Sequence, residues 1–391
     1  EGARCVSCHM RARTYMVVDS RRDHSFRVPR PDLSAKLGTP DACGDCHRNR
    51  DSRWAADRLR DWYGRRELPP AFGEALHAAQ THRPGADRDL LRLVNDEAAP
   101  AIVRATAISL LREAPAPELA AAVARARPDS DPLVREAAAS SGDALDPVSR
   151  WDLLSPFLQD PVRGVRIQAA RDLAATPPGR MDPTRRAALE RGLEEFRRAQ
   201  EINLDRPEAH LNLGSLAAEL GRGEEAERSY REAIRIDPTF VPAYVNLADL
   251  LRTEGREPEA EKVLRDGIAA GPREAALHHA LGLALVRQKR MPEALASLQR
   301  AAALGPGVPR YTYVLGVALN SAGRSAAALE VLRRGHERSP GDRDTLSALA
   351  TISRDRGSVA QAIEYARTLV DVAPNDPAAQ ALLSELERER Q

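Results

Sequence analysis

Every cysteine of this 391-residue chain lies in one of two short motifs near its start. The motifs read CVSCH at residues 5–9 and CGDCH at residues 43–47, so each is a Cys-x-x-Cys pair followed directly by a histidine. Thiols and imidazoles at this spacing bind metal ions, exchange disulfides or anchor haem. The histidine after each pair is the residue that distinguishes these chemistries.

Three chemistries are open to the two motifs. One zinc ion could take all four thiolates, but 34 residues separate Cys8 from Cys43, and zinc gives no reason for the two histidines. A thioredoxin-like dithiol needs a strand and a helix around CGDC, and no such alternation surrounds it. Attachment of c-type haem accounts for every residue of both motifs, and it is the interpretation that we favour.

In c-type attachment each thiol adds across a haem vinyl group. A C–S bond forms, the thiol proton goes to the neighbouring carbon, and the following histidine becomes the proximal ligand of the iron. The sequence therefore predicts two covalently bound haem c groups, held by two sets of residues: Cys5, Cys8 and His9, and Cys43, Cys46 and His47.

Residues 1–64 resemble the last haem-bearing module of the bacterial multihaem cytochromes c that continue into tetratricopeptide (TPR) repeats. The resemblance implies extracytoplasmic electron transfer, in the periplasm or outside the cell. Such proteins usually carry further Cys-x-x-Cys-His motifs upstream, and this chain opens with EGARC rather than methionine. We therefore expect an export signal and additional haem motifs to precede it.

The sixth ligand decides whether a haem shuttles electrons or binds a substrate. The resemblance makes His24 the candidate distal ligand, because it lies in the extended segment RRDHSFRVPRPD between the two motifs. Which of the haems it would serve stays open. His77, His82 and Met16 are the alternatives.

Arginines are concentrated around the same segment. Residues 1–70 contain 15 basic and 10 acidic residues, and Arg27 and Arg30 flank the His24 segment. Paired guanidinium donors suit carboxylates, so we predict that these two arginines contact haem propionates. A solvated basic surface is the alternative.

The overall composition is that of a soluble helical protein. The chain is 42% hydrophobic and only 4% aromatic, and its formal net charge is +1, which argues against a nucleic acid as partner. It has no run of 18 apolar residues, so we expect no transmembrane segment.

The second half of the chain has a 34-residue period. Prolines recur at that interval at 238, 272, 306, 340 and 374, and small residues such as Gly214, Gly282 and Gly316 keep step with them. This period and pattern are typical of TPR units, in which two helices approach closely at small side chains. We predict five repeats over 207–374, a leading helix at 182–203 and a capping helix at 376–390.

The middle section has a different period. Val-Arg pairs begin at Val103, Val134 and Val165, 31 residues apart, which resembles short HEAT-like repeats. The predicted fold is thus all-α, with a small irregular haem-binding module over 1–85, HEAT-like repeats over 86–181 and a TPR superhelix over 182–391. An irregular helical bundle is the alternative for the middle section.

These features predict an electron carrier and scaffold rather than an enzyme. The repeats would dock a redox partner protein or a membrane complex, and by helical register six side chains would line the TPR groove: Asp249, Arg252, His279, Tyr313, Asn320 and Arg354. Two alternatives stay open, a multihaem oxidoreductase that reduces a small nitrogen or sulfur compound and a haem-bearing structural or filament subunit.

Overall fold

The computed structural model describes residues 5–15, 19–22, 24, 28–64, 72–81, 83–114, 116–176, 182–374 and 376–390. Helices make up nearly all the regular structure in these ranges, which confirms the predicted all-α class. The one addition is a short two-stranded antiparallel hairpin. No helix in the described ranges is both long and apolar enough to cross a lipid bilayer.

The chain divides into two compact units, Glu1–Ala78 and Ala79–Gln391. The sequence placed this boundary after residue 85, whereas the division falls within the helix Phe72–Gln80. The second unit contains both sets of helical repeats.

The first unit is built from short elements. They are helix α1 (Cys5–His9), strands β1 (Ala12–Tyr15) and β2 (Asp19–Arg22), and helices α2 (Pro31–Leu37), α3 (Ser52–Tyr63) and α4 (Phe72–Gln80). Proline in its first turn begins α2, and Gly38 ends it in the left-handed conformation. The Asp51 carboxylate begins α3 by accepting the Trp54 amide, and α3 then packs against α2.

The described part of this first unit has almost no apolar core. Its buried residues are Pro31, Ser34, Ala42 and Ala55, all small. Large apolar side chains stay exposed instead: Val28 is 71% exposed, Trp62 67% and Tyr63 60%. A unit that buries so little apolar surface needs a covalent or cofactor staple to be stable.

The middle section consists of three helical pairs. The first helices are α5 (Ala86–Asn95), α7 (Ala116–Ala126) and α9 (Pro147–Leu154), and the second are α6 (Ala101–Leu110), α8 (Pro132–Ala139) and α10 (Arg163–Leu173). Each Val-Arg pair of the 31-residue period lies in a second helix. The three valines are buried and belong to the core.

The arginines of those pairs form a ladder that links each repeat to the next. Arg104 binds Asp129 at 3.0 Å, Arg135 binds Asp160 at 2.7 Å, and Arg166 binds a Glu195 oxygen at 2.7 Å. Each guanidinium also donates to a backbone carbonyl in the loop before its own helix. The acceptors are Ala99 for Arg104, Asp129 for Arg135 and Asp160 for Arg166. One side chain thus fixes a loop and the neighbouring repeat together.

The ladder continues into the TPR array. Glu195, its last acceptor, belongs to helix α11 (Pro183–Glu201), which is the predicted leading helix. Helix α11 packs closely on α10, since a Cβ on Gly192 would lie 2.6 Å from the Ala170 Cβ. The two sets of repeats therefore share one packed interface.

Five helical pairs and a last helix follow. The first helices are α12 (Pro207–Glu219), α14 (Val241–Thr253), α16 (Ala275–Arg287), α18 (Pro309–Ser321) and α20 (Arg343–Asp355). The second are α13 (Gly223–Ile236), α15 (Glu257–Ala270), α17 (Met291–Leu304), α19 (Ser325–Arg338) and α21 (Val359–Val372), and α22 (Pro377–Glu389) ends the array. Within each pair the two helices pack against each other, and three pairs of first helices are also in contact: α12 with α14, α14 with α16, and α18 with α20.

The turn inside each pair requires a left-handed residue. Gly221, Gly255, Gly323 and Gly357 have φ between +71° and +77°, and they recur with the 34-residue period. The third pair places Lys289 at the same position with φ +61°, the one non-glycine with positive φ among the described residues. A side chain costs energy in this conformation, so this turn is the strained member of the series.

The small residues of the TPR pattern lie where the paired helices touch. A Cβ on Gly214 would lie 2.7 Å from the Tyr230 ring, one on Gly282 2.6 Å from Leu298, and one on Gly316 2.5 Å from Leu332. Only glycine allows the helices this separation, which gives the sequence pattern its physical cause.

We expect Gly316→Ala to destabilise the protein by about 1 to 3 kcal/mol, because the added methyl group overpacks the contact with Leu332. Chemical unfolding followed by circular dichroism measures this change. Gly164→Ala is the matched control. That residue also lies in a helix, but its Cβ would meet only the Glu136 side chain, at 4.0 Å. The control should gain up to about 1 kcal/mol from helix propensity, and a loss of equal size in both variants would contradict the packing argument.

Candidate functional site

The first cysteine motif forms one helical turn. Helix α1 spans Cys5 to His9, so the two thiols three residues apart and the following histidine project from the same side. The hairpin after it returns the chain to this turn, because the Arg22 guanidinium donates to the carbonyls of Val6 and Met10 at 3.2 Å each.

The second motif forms a similar turn by different means. The amides of Cys46 and His47 donate to the Cys43 carbonyl at 3.2 and 2.9 Å. Asp41 fixes the start of this turn by accepting the Cys43 amide at 2.7 Å, and its other oxygen accepts the Ser52 hydroxyl at the start of α3. Burial opposes ionisation of Asp41, but these hydrogen bonds outweigh it and lower its pKa.

The two motifs are neighbours within the first unit. The Arg11 Nε donates to the Asp45 carboxylate at 2.7 Å, which joins the segment after the first motif to the middle of the second. Burial and the charge of Asp41 raise the pKa of Cys43 to about 11, and Cys8 also contributes. Dithiol catalysis needs an attacking thiol with a lowered pKa, so Cys43 is not favoured in that role.

The donor set fits c-type haem. All four cysteines are free thiols, and each pair precedes a histidine in a helical turn. Within the part of the chain that the structure describes, no three side chains of His, Cys, Asp or Glu gather as ligands of one metal ion. The exposed rings of Trp62 and Tyr63 give this unit apolar surface that a flat cofactor could cover.

The aromatic residues near the second motif are divided between two environments. The rings of His47 and Trp54 lie 4.7 Å apart, and the Arg50 guanidinium lies 5.8 Å from the Trp54 ring. Trp54 is thus the α3 ring that contacts a motif residue, whereas Trp62 and Tyr63 at the other end of the helix are exposed.

Of the remaining candidate haem residues, His24, Arg30 and His77 lie among the described residues of the first unit. His24 is exposed and lies two residues after Arg22, the residue that holds the hairpin to the first motif. Arg30 forms a two-point ion pair with Asp32, at 2.9 Å from Nε and 2.8 Å from Nη2. The guanidinium that was predicted to contact a haem propionate is therefore already paired with Asp32. Three other candidates lie outside the described residues: Arg27, His82 and Met16.

The second candidate site is the inner face of the TPR array, which we define as the surface formed by the first helices α12, α14, α16, α18 and α20. Of the six predicted groove residues, Asp249 and His279 line a cavity on this face. Arg252 pairs with Asp249, Arg354 pairs with Glu385, and Asn320 accepts the Ser325 hydroxyl. These partners lie within the array itself.

A cavity of about 290 Å³ lies between α14, α15, α16 and α18, and we call it the His279 cavity. Its walls include Val245, Ala280 and Leu283. His279 is only 9% exposed, and its ring lies 4.9 Å from that of Tyr311. Its Nδ1 has no hydrogen-bond partner within the described part of the chain. Burial, with the nearby charge of Arg310, lowers the pKa of His279 to about 4, so the ring is neutral at pH 7.

A second cavity of about 730 Å³ continues along the same face between α18, α20 and α22. Arg310 lines both cavities. Three aspartates and two arginines line the second one: Asp342, Asp344, Asp376, Arg310 and Arg343. Sequence reasoning missed Arg310 and Tyr311, because the period marks which helix faces inward but not which of its side chains border a cavity.

Comparisons with known proteins agree with this architecture. Two tetratricopeptide-repeat family models match the chain, one at residues 217–284 and 319–386 and the other at 186–239 and 292–343. The predicted TPR repeats are therefore confirmed. A search of curated proteins finds no match to the sequence.

A solved structure with a TM-score above 0.5 shares the helical-repeat fold. Yeast Tom70 is 16% identical with a TM-score of 0.51, over 92% of this chain and 77% of that one. PilW, a type IV pilus biogenesis factor, is 20% identical with a TM-score of 0.43, over 57% and 99%. YrrB, described as a TPR protein with an unusual peptide-binding site, is 22% identical with a TM-score of 0.37, over 49% and 96%. The TPR repeats make this chain a candidate scaffold for protein–protein interaction.

Proposed function

We propose that this chain is the haem-bearing and partner-docking part of a multihaem c-type cytochrome that acts in extracytoplasmic electron transfer. The observation that carries the proposal is the shape of the two motifs. Both place two free thiols and the following histidine in one helical turn, in a unit with almost no apolar core among its described residues. The resemblance of residues 1–64 to cytochrome modules supports the same conclusion.

Each residue of the motifs has a defined role in this proposal. Cys5, Cys8, Cys43 and Cys46 would form the thioethers, and His9 and His47 would ligate the iron. The bound haems supply one-electron transfer. Asp41 holds the second turn in shape through the Cys43 amide, and the Arg11–Asp45 pair keeps the two motifs adjacent. We place the protein in the periplasm or outside the cell, as the resemblance implies.

The TPR array adds the docking role. Its inner face presents two adjacent cavities with charged borders, and solenoids of this kind use such faces to bind partner proteins. We propose that the array binds a redox partner and so holds the haem unit within reach of it.

The role of His24 can be tested in the haem-loaded protein. If His24 is a sixth ligand, His24→Ala opens one iron, and one of the two haems changes from low-spin to high-spin and binds cyanide. Electron paramagnetic resonance and visible spectra measure the spin state. His210→Ala, which alters a histidine of the TPR array, is the matched control and should change neither. Two low-spin haems in His24→Ala would contradict the assignment, and a high-spin haem in the unaltered protein would favour the oxidoreductase alternative.

A further inference from the structure

The His279 cavity is bordered by a buried polar side chain, His279 itself. His279 is more than nine-tenths buried, borders the cavity, and has no hydrogen-bond partner for Nδ1 within the described residues. A buried nitrogen in this position loses its bonds to water and gains none from the protein. Recovering that loss requires the ring to turn this nitrogen toward a ligand that fills the cavity.

The size and walls of the cavity fix the apolar part of such a ligand. A volume of about 290 Å³ accommodates one large side chain, and the walls formed by Val245, Ala280 and Leu283 favour an apolar one. The Tyr311 ring at the border favours an aromatic partner, because rings pack well at offset or edge-on angles.

The charges around the cavity indicate which group of the ligand should lie next to its apolar part. Asp249 is paired with Arg252, and Arg287 is paired with Glu257 at 2.7 Å. Arg310 is exposed and has no ion-pair partner among the residues that the structure describes. It is the uncompensated cation of this border, and a carboxylate is the group that complements it.

The second cavity indicates a third group of the ligand, after the apolar group and the carboxylate. Beyond Arg310 the face carries Asp342, Asp344 and Asp376 against Arg343. A ligand that continues past Arg310 therefore meets a net negative surface, which complements a basic side chain.

We propose that these two cavities form one recognition site for an extended segment of a partner protein, with a bulky aromatic side chain, an acidic residue and a basic residue following one another along it. The aromatic group fills the His279 cavity, the carboxylate pairs with Arg310, and the basic group lies over the acidic cavity. This inference rests on the proposed docking role and names the chemistry of the partner.

The full chain is tested against a blocked nonapeptide that carries tryptophan, aspartate and arginine at alternating positions among alanines, and against its reversed sequence. At least one direction should bind in isothermal titration calorimetry. Replacing the peptide aspartate by asparagine, or Arg310 by glutamine, should each weaken binding about tenfold, and the two changes together should cost no more than either alone. Arg300→Gln, which alters an exposed arginine of a second helix, is the matched control and should leave binding unchanged.

A second readout observes His279 directly. In the full chain with ¹⁵N-labelled histidine, the peptide should shift the His279 Nδ1 resonance, and the resonance should be identified by its loss in His279→Gln. Absence of binding by both peptides, or equal weakening by Arg310→Gln and Arg300→Gln, would overturn the inference. The docking role is tested separately, by mapping cross-links between the full chain and its electron acceptor. If cross-links to the acceptor fall within 207–372 but neither peptide binds, the docking role stands and the proposed recognition site is wrong.

Discussion

Replacing Arg135 by leucine is expected to destabilise the second unit by about 3 to 5 kcal/mol. The substitution removes two bonds to Asp160 and two to the carbonyls of Asp129 and Ser130. It also leaves the Asp160 carboxylate, whose side chain is only 6% exposed, without its cation. A buried charge that loses its partner costs far more than an exposed one, because water cannot replace the lost interaction.

Urea unfolding of the purified protein measures this loss, and Arg92→Gln serves as the control. Arg92 pairs with Asp89 on the surface, where the two side chains are 78% and 47% exposed, so its loss should cost less than about 1 kcal/mol. Adding Asp160→Asn to Arg135→Leu should restore part of the stability, since it removes the uncompensated charge. Equal effects of Arg135→Leu and Arg92→Gln would contradict the ladder as a stabilising feature.

A chain in which Cys43 and Cys46 are both alanine is expected to carry one covalent haem instead of two. Without thiols the second motif cannot form thioethers, whereas the motif at 5–9 keeps both of its own. Mass spectrometry of the denatured protein, expressed with an export leader in a host that attaches c-type haem, measures the loss. The matching change of Cys5 and Cys8 should remove the other haem. Two covalent haems on either variant would contradict the assignment of one haem to each motif.

The TPR half of the chain was predictable because the interactions that shape each unit are local and recur along the sequence. A proline that stops a helix and a glycine or alanine that admits a neighbouring side chain recur every 34 residues, so each unit supports the interpretation of the others. The Val-Arg period likewise marked the second helices of the middle section. Its valines are core residues, as a buried helix face requires.

Other features depend on partners that are distant in the sequence. The acceptors of Arg104 and Arg135 lie 25 residues further on, and nothing in the spacing of the arginines identifies them. The hairpin of β1 and β2 was missed, because four-residue strands whose described side chains are exposed carry no alternating pattern. Arg310 became a candidate only when the structure placed it between two cavities.

The central claim is that the two Cys-x-x-Cys-His motifs each hold a covalent haem. The most direct test is a pyridine haemochrome spectrum of the unaltered chain, combined with the ratio of haem to protein after acid–acetone extraction has removed any haem that is not covalently bound. We predict a c-type spectrum with two haems per chain, both of which stay with the polypeptide. A colourless protein that contains zinc bound to its thiols would contradict the account.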